Sequence, residues 1–288
     1  MKKKIIGIFI CMLMATTVVS ATNLNVKKDI QTVASTVDVP VWEIGDSWTY
    51  NIKYNQIWYD TNGDMFFHWF HNCTNTYTVT SDTGDSYTLT VTSKDDEGGL
   101  IYDPFRLKFT SSMKITEEIQ CRKTDLGYVH MIHQEKGAAI WLLGNMLPIP
   151  TQYYDIWEVS LTPAYVYLPF PFTAGTNGVI PGFSESGHEK MGLYWGLIKF
   201  MDADFSYDIE PFFSYNCEMA NIMVPAGTYD TYNVSTDVYS GSLHNYSRFY
   251  YAPEVGFFVK KIEHSDDGDT GKLSYEERWE LVSTTYKP

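Results

Sequence analysis

Charge is scarce in this sequence. Only 19% of its 288 residues are Asp, Glu, Lys or Arg, and 21 Lys and Arg face 35 Asp and Glu, for a net charge of −14. A nucleic acid or an anionic membrane surface would repel such a chain, which argues against both as partners. Cysteine is scarce as well, with four in all, which excludes a small disulfide-stapled scaffold. The His-Glu-x-x-His, Gly-x-Ser-x-Gly, P-loop and dinucleotide signatures are missing, so no catalytic residue, metal or cofactor is expected. Beyond residue 19 no apolar run reaches the length of a membrane helix. What is plentiful is apolar and aromatic mass, 44% and 16%, enough to offset chain entropy and exclude a disordered chain.

The N-terminus reads as a secretory signal peptide over 1–21. Lys2, Lys3 and Lys4 form a basic head, Ile5 to Val19 carries no charge, and Val19-Ser20-Ala21 offers small residues for cleavage. Its loss removes three Lys and no acid, leaving 18 basic against 35 acidic residues, or net −17. The expected location is secreted or cell-surface. Residues 22–40 are polar without periodicity and read as a linker to one domain over 41–288. In an oxidising compartment Cys73, Cys121 and Cys217 would remain, and the shorter loop favours a Cys73–Cys121 disulfide; three buried thiols are the alternative.

The rest of the chain alternates as strands do. Trp48, Tyr50, Ile52 and Tyr54 share one face, with Thr49, Asn51 and Lys53 opposite. Asp60-Thr61-Asn62-Gly63-Asp64 and Ser81-Asp82-Thr83-Gly84-Asp85 are turns. Further strands are expected at Met113–Cys121, Gly127–His133, Thr228–Val238, Ser247–Tyr251, Phe257–His264 and Leu273–Ser283. Between Gly137 and Ser184 only Asp155 and Glu158 are charged, and six of the twelve prolines fall there. Ala138–Met146 is a short helix or a strand, and the later part cannot stay regular for long. Such a segment either caps the core or lines a cavity.

The candidate chemistry is sparse. Asp60–Asp64 opens like a calcium loop, but Met65 and His71 occupy the places of the required Gly and Glu. His68 with His71, and His130 with His133, are three apart, which puts each pair on opposite strand faces and unsuited to a metal. Two acids sit on apolar faces: Glu117 among Met113, Ile115, Ile119 and Cys121, and Glu277 among Leu273, Tyr275, Trp279 and Leu281. Buried carboxylates are costly unless paired or protonated, so they mark a site or a re-aimed strand.

Three phrases carry a resemblance: Ile44-Gly45-Asp46-Ser47-Trp48-Thr49-Tyr50, Val224-Pro225-Ala226-Gly227-Thr228-Tyr229-Asp230-Thr231-Tyr232, and Tyr250-Tyr251-Ala252-Pro253-Glu254-Val255-Gly256-Phe257-Phe258-Val259-Lys260. With them the chain resembles secreted β proteins similar to the lipoprotein-carrier (Lol-like) half-barrel superfamily. The resemblance implies a curved antiparallel sheet around an apolar cavity able to hold acyl chains.

The expectation is therefore mainly β: a large curved antiparallel sheet or half-barrel, with the apolar, proline-broken segment over its concave side. The expected function is non-catalytic binding of a lipid or other apolar molecule, with Trp141, Leu142, Tyr167, Phe170, Glu117 and Glu277 in contact. A cell-surface interaction module and a carbohydrate-active enzyme using Glu117 and Glu277 are the alternatives.

Overall fold

The computed structural model describes residues 36–102, 105–110, 113–143, 148–193, 198–209, 213–240 and 243–288. The expected signal peptide over 1–21 and most of the expected linker over 22–40 lie outside the described residues.

Every regular element described is a strand. In chain order they begin with β1 (Thr36–Val37), β2 (Ser47–Tyr59), β3 (Met65–Asp82), β4 (Ser86–Tyr102), β5 (Phe105–Phe109) and β6 (Lys114–Arg122). Then come β7 (Tyr128–Leu143), β8 (Ile149–Tyr165), β9 (Phe172–Thr173), β10 (Asn177–Ile180), β11 (Phe183–Leu193) and β12 (Ile198–Ile209). The chain ends with β13 (Phe213–Val224), β14 (Gly227–Ser240), β15 (Leu243–Ala252), β16 (Phe257–Asp266) and β17 (Leu273–Thr284).

Fifteen of these strands form one antiparallel sheet, ordered β10-β13-β14-β15-β16-β17-β2-β3-β4-β5-β7-β8-β11-β12. β6 continues the rung of β5, since both pair with β4 on one side and β7 on the other. Each half of the chain is a meander, and the two join where the last strand, β17, pairs with β2. β1 and β9 make a separate two-stranded ladder.

The sheet is curved and is not closed into a barrel. Its curvature shows where His71 of β3 lies 3.6 Å from Glu135 of β7, although β4 and the β5–β6 rung separate them in the order. Chain connectivity draws the two edges together at one corner. Ile209 lies on the edge strand β12 and Phe213 on β13, which pairs with the opposite edge strand β10, yet the two are four residues apart, a reach of about 14 Å.

The side chains inside obey the period of two. On β2 the buried or half-buried inward set is Trp48, Tyr50, Ile52, Tyr54, Gln56 and Trp58. Turn chemistry fixes the register: Asp60 Oδ1 accepts the amides of Asn62 and Asp64 at 2.9 Å each, and Gly63 takes a φ of 80°. The three phrases named above meet at one hub. Trp48 Nε1 donates to the Val255 carbonyl at 2.7 Å, Tyr50 Oη to Phe258 at 2.7 Å, and Tyr232 pairs across the ladder with Tyr251. Trp42 and Trp48 pack there against Phe257 with ring centroids 5.4 Å away.

Two expectations need correction. The segment 137–184 does not remain irregular, because 149–165 is a full sheet strand, β8, between β7 and β11. Its prolines fall near its ends: Pro150 is the second residue, and Pro163 follows the last residue paired with β11. Among its described residues, the loop after Tyr165 packs over the core, with Leu168 and Phe172 buried and Phe170 packed on Phe172 and Tyr251. The Cys73–Cys121 disulfide is not formed. Cys73 lies on β3 opposite Ile52 and Cys121 on β6 opposite Tyr87, with β4 between them. Two strand spacings alone give about 9.6 Å, beyond disulfide reach.

Candidate functional site

The register lays out the concave face in rows. Across β6, β7, β8 and β11, one row reads Ile115, Glu135, Asp155, Met191. The next reads Glu117, His133, Trp157, Glu189, and the third Ile119, Met131, Val159, Gly187. Leu161 and Glu185 begin a fourth. On the facing wall, Glu263, Glu277, Tyr54 and His71 form a row across β16, β17, β2 and β3. Lys261, Trp279, Ile52 and Cys73 form its neighbour.

These rows enclose a cavity of about 360 Å³, a volume suited to a small molecule. Aromatic side chains line much of it, among them Tyr54, Trp69, Tyr128, Trp157, Tyr167, Phe183 and Trp279. Its polar lining is acidic. Glu117, Glu135, Asp155, Glu185, Glu189, Glu263 and Glu277 face Lys261, the single lysine or arginine of the wall among the described residues, with His71 and His133. A second apolar cluster, Trp58, Phe67, Leu107, Phe109, Tyr153 and Met191, packs beyond the acidic rows, with Phe109 5.1 Å from the His71 ring.

Burial sets the electrostatics. Removal from water pushes the Glu185 carboxyl up to about 7 and Glu189 to about 8, the latter helped by the nearby Asp155 charge. Burial also raises Asp155 to about 6, although His133 and the Ile156 amide pull the other way. Lys261 Nζ lies 2.6 Å from Glu277 and 2.8 Å from Glu263, and 4.6 Å from the centre of the Trp279 ring. Burial raises Glu263 to about 7 against the pull of Lys261. At Glu277 burial also opposes ionisation, but the lysine outweighs it and holds the carboxyl below its ordinary value. Tyr275 Oη donates to Glu277 at 3.1 Å. Burial lowers the basicity of His133, but its 2.9 Å hydrogen bond to Glu117 outweighs that and leaves it raised.

The predicted site residues divide. Glu117, Glu277 and Tyr167 line the cavity. Phe170 instead joins the aromatic packing around Tyr251. Leu142 is half-buried near the end of β7, opposite Arg106, and is no part of the lining. The side chain of Trp141 lies outside the described residues. Sequence reasoning missed Glu135, Asp155, Glu185, Glu189, Glu263 and Lys261. Their signal was parity: Asp155 shares a strand face with Tyr153, Trp157, Val159 and Leu161, and Glu185 and Glu189 share one with Phe183 and Met191.

Glu277 and Glu117, the pair of the hydrolase alternative, share the cavity, but each is engaged, with Lys261 and His133 respectively. No helix among the described residues is long and apolar enough to cross a membrane.

No known protein family matches the chain, and no curated protein does. Among solved structures it is similar to a candidate exported protein from Bacteroides fragilis with a YmcC-like fold, at 9% identity and a TM-score of 0.32. That likeness covers 85% of this chain and 97% of the other, and at such a score it carries no argument about function.

Proposed function

We propose that this chain is an extracytoplasmic, non-catalytic binding protein whose concave face takes a small amphipathic molecule, with an apolar body and a cationic head. The leader-like N-terminus supports the compartment. A curved sheet around a hollow is also what the resemblance to lipoprotein carriers implies. The observation that carries the reading is the wall itself: aromatic rings interleaved with seven carboxylates and one lysine.

The expectation of an acyl ligand is narrowed by that wall. An apolar body gains about 0.8 kcal/mol per buried methylene wherever it meets Ile52, Ile119, Val159 or Phe183. A bare chain laid along the acidic rows would desolvate carboxylates without compensation. A substituted ammonium offsets that cost and gains cation–π attraction from the rings, roughly 0.5–2 kcal/mol each. The non-catalytic reading rests on geometry: Glu277 is paired with Lys261 at 2.6 Å and Glu117 with His133 at 2.9 Å, so neither carboxyl of the hydrolase alternative is left to act on a substrate.

Tryptophan fluorescence titrations with octyltrimethylammonium, octanoate and octanol test this. The ammonium should bind about tenfold or more tightly than either partner of equal chain length, and added salt should weaken it. Equal affinity for octanoate, or no binding of any of the three, would sink the proposal.

A further inference from the structure

Three donors of different origin converge on one point of the acidic wall. His133 and Glu135 are two apart on β7 and so share its inward face, and Asp155 stands directly opposite Glu135 on β8. One ligand atom from each lies within 4.8 Å of the others. All three residues are buried: Glu135 is 0% exposed, Asp155 1% and His133 8%. Glu135 also meets His71, at 3.6 Å.

Two features mark this as more than a group of acids. The first is an unmet valence. His133 Nε2 is buried without a hydrogen-bond partner, and neither Asp155 oxygen accepts a well-formed hydrogen bond. Buried polar atoms left so are uncommon and call for a partner. The second is the far side of the imidazole. His133 Nδ1 lies 2.9 Å from Glu117 Oε1. The carboxylate accepts, so Nδ1 carries the proton, and in the neutral ring Nε2 turns its lone pair toward Glu135 and Asp155. A carboxylate behind a histidine in this manner is how metal-bound imidazoles are oriented. Trp157 stacks flat on the ring, with centroids 4.9 Å apart and planes 6° from parallel, and fixes its plane.

We propose that His133, Glu135 and Asp155 bind one divalent transition-metal ion, with Glu117 as the outer carboxylate that orients the histidine. One neutral imidazole and two carboxylates balance a doubly charged ion. The mixed nitrogen and oxygen set suits Zn²⁺ or Mn²⁺ better than Ca²⁺ or Mg²⁺, which favour oxygen alone. Three protein ligands leave a coordination position open to the cavity, as in sites that present the metal to a further ligand. Donors around a tetrahedral zinc sit about 3.4 Å apart, so the group must tighten by up to about 1.4 Å, within reach of side-chain torsions.

The test uses untagged full-length protein stripped with a chelator and titrated with Zn²⁺ and Mn²⁺, followed by calorimetry and by metal content after dialysis. One equivalent of Zn²⁺ or Mn²⁺ is expected, with Trp157 emission reporting its arrival. Asp155→Asn and Glu135→Gln should each weaken binding about tenfold or more. Glu118→Gln, exposed on the outer face of β6 and outside the cavity, should leave it unchanged. If the ligand variants fail to fold, X-ray absorption on the loaded wild type decides: one imidazole nitrogen with carboxylate oxygens supports the site, and any other donor set overturns it. So does binding that survives both substitutions, or none up to about 1 mM of either ion. The ammonium titration is a separate measurement, so this site and the amphiphile reading fail independently.

Discussion

Replacing Lys261 by Met tests the charge balance of the cavity. Its side chain is 6% exposed, with carboxylates at 2.6 and 2.8 Å and aromatic faces of Trp279 and Tyr167 at 4.6 and 5.5 Å. Methionine keeps the length and the ring contacts but leaves Glu263 and Glu277 facing each other without a cation. Removing one partner of a buried ion pair costs about 3–5 kcal/mol. The lower part of that range applies near neutral pH, where burial favours the protonated form of Glu263 and Glu277 carries the charge that Lys261 offsets. At pH 8 both must ionise or take up protons, so the cost rises; at pH 5 both can be protonated in the variant, and it falls. In Tm the loss is on the order of 10 °C for a chain of this size. Urea unfolding of wild type and variant at pH 5 and pH 8 measures it, and Lys261→Met with Glu263→Gln and Glu277→Gln should recover most of the loss. A cost under about 1 kcal/mol at pH 8, or one independent of pH, refutes the reasoning.

Other consequences are independent of that triad. Burial raises the folded pKa of Glu185 from its ordinary 4.5 to about 7, so it favours the fold fully below pH 4.5 and loses that contribution as pH rises to 7. Glu185→Gln should flatten that part of the stability–pH curve by urea unfolding, and an unchanged slope contradicts it. A methyl group at Gly187 would stand 2.0 Å from the Glu158 carbonyl oxygen and 2.8 Å from Phe205 Cζ. Gly187→Ala should therefore push β8 and β11 apart and cost about 1–3 kcal/mol, read as a drop in Tm. Trp48→Ala removes a fully buried ring and its bond to Val255, and chemical denaturation should show a loss of about 3–5 kcal/mol.

Strand identity was legible because a half-buried strand writes its period of two directly into the chain. The alternations at Trp48–Tyr54, around Glu117 and around Glu277 appear in β2, β6 and β17 with the same inward sets. What failed was long-range. β8 was missed as a strand because prolines were weighed by number rather than by position, and Pro150 and Pro163 sit where few ladder bonds are lost. The cysteine pairing failed for a related reason. Loop length ranks two thiols by chain entropy, while strand order decides their separation, and β4 intervenes.

The character of the cavity shows the same divide. A segment with few charges suggests a greasy hollow, but hydropathy sums both faces of a strand, while a cavity sees one. β8 is apolar by composition, yet it delivers Asp155 to the interior and turns Glu158 outward. The other acids come from β6, β7, β11, β16 and β17, segments spread along the chain and each with only one or two inward charges. Taken strand by strand, such a residue reads as an isolated exception best explained by a bulge. Curvature changes its meaning, because it sets the β16–β17 acids across a hollow from those of β7, β8 and β11, with one lysine between seven carboxylates. The excess of negative charge within that hollow is thus a property of the curved sheet. That excess is the physical ground for both proposed ligands, each of which would bring a positive charge to it.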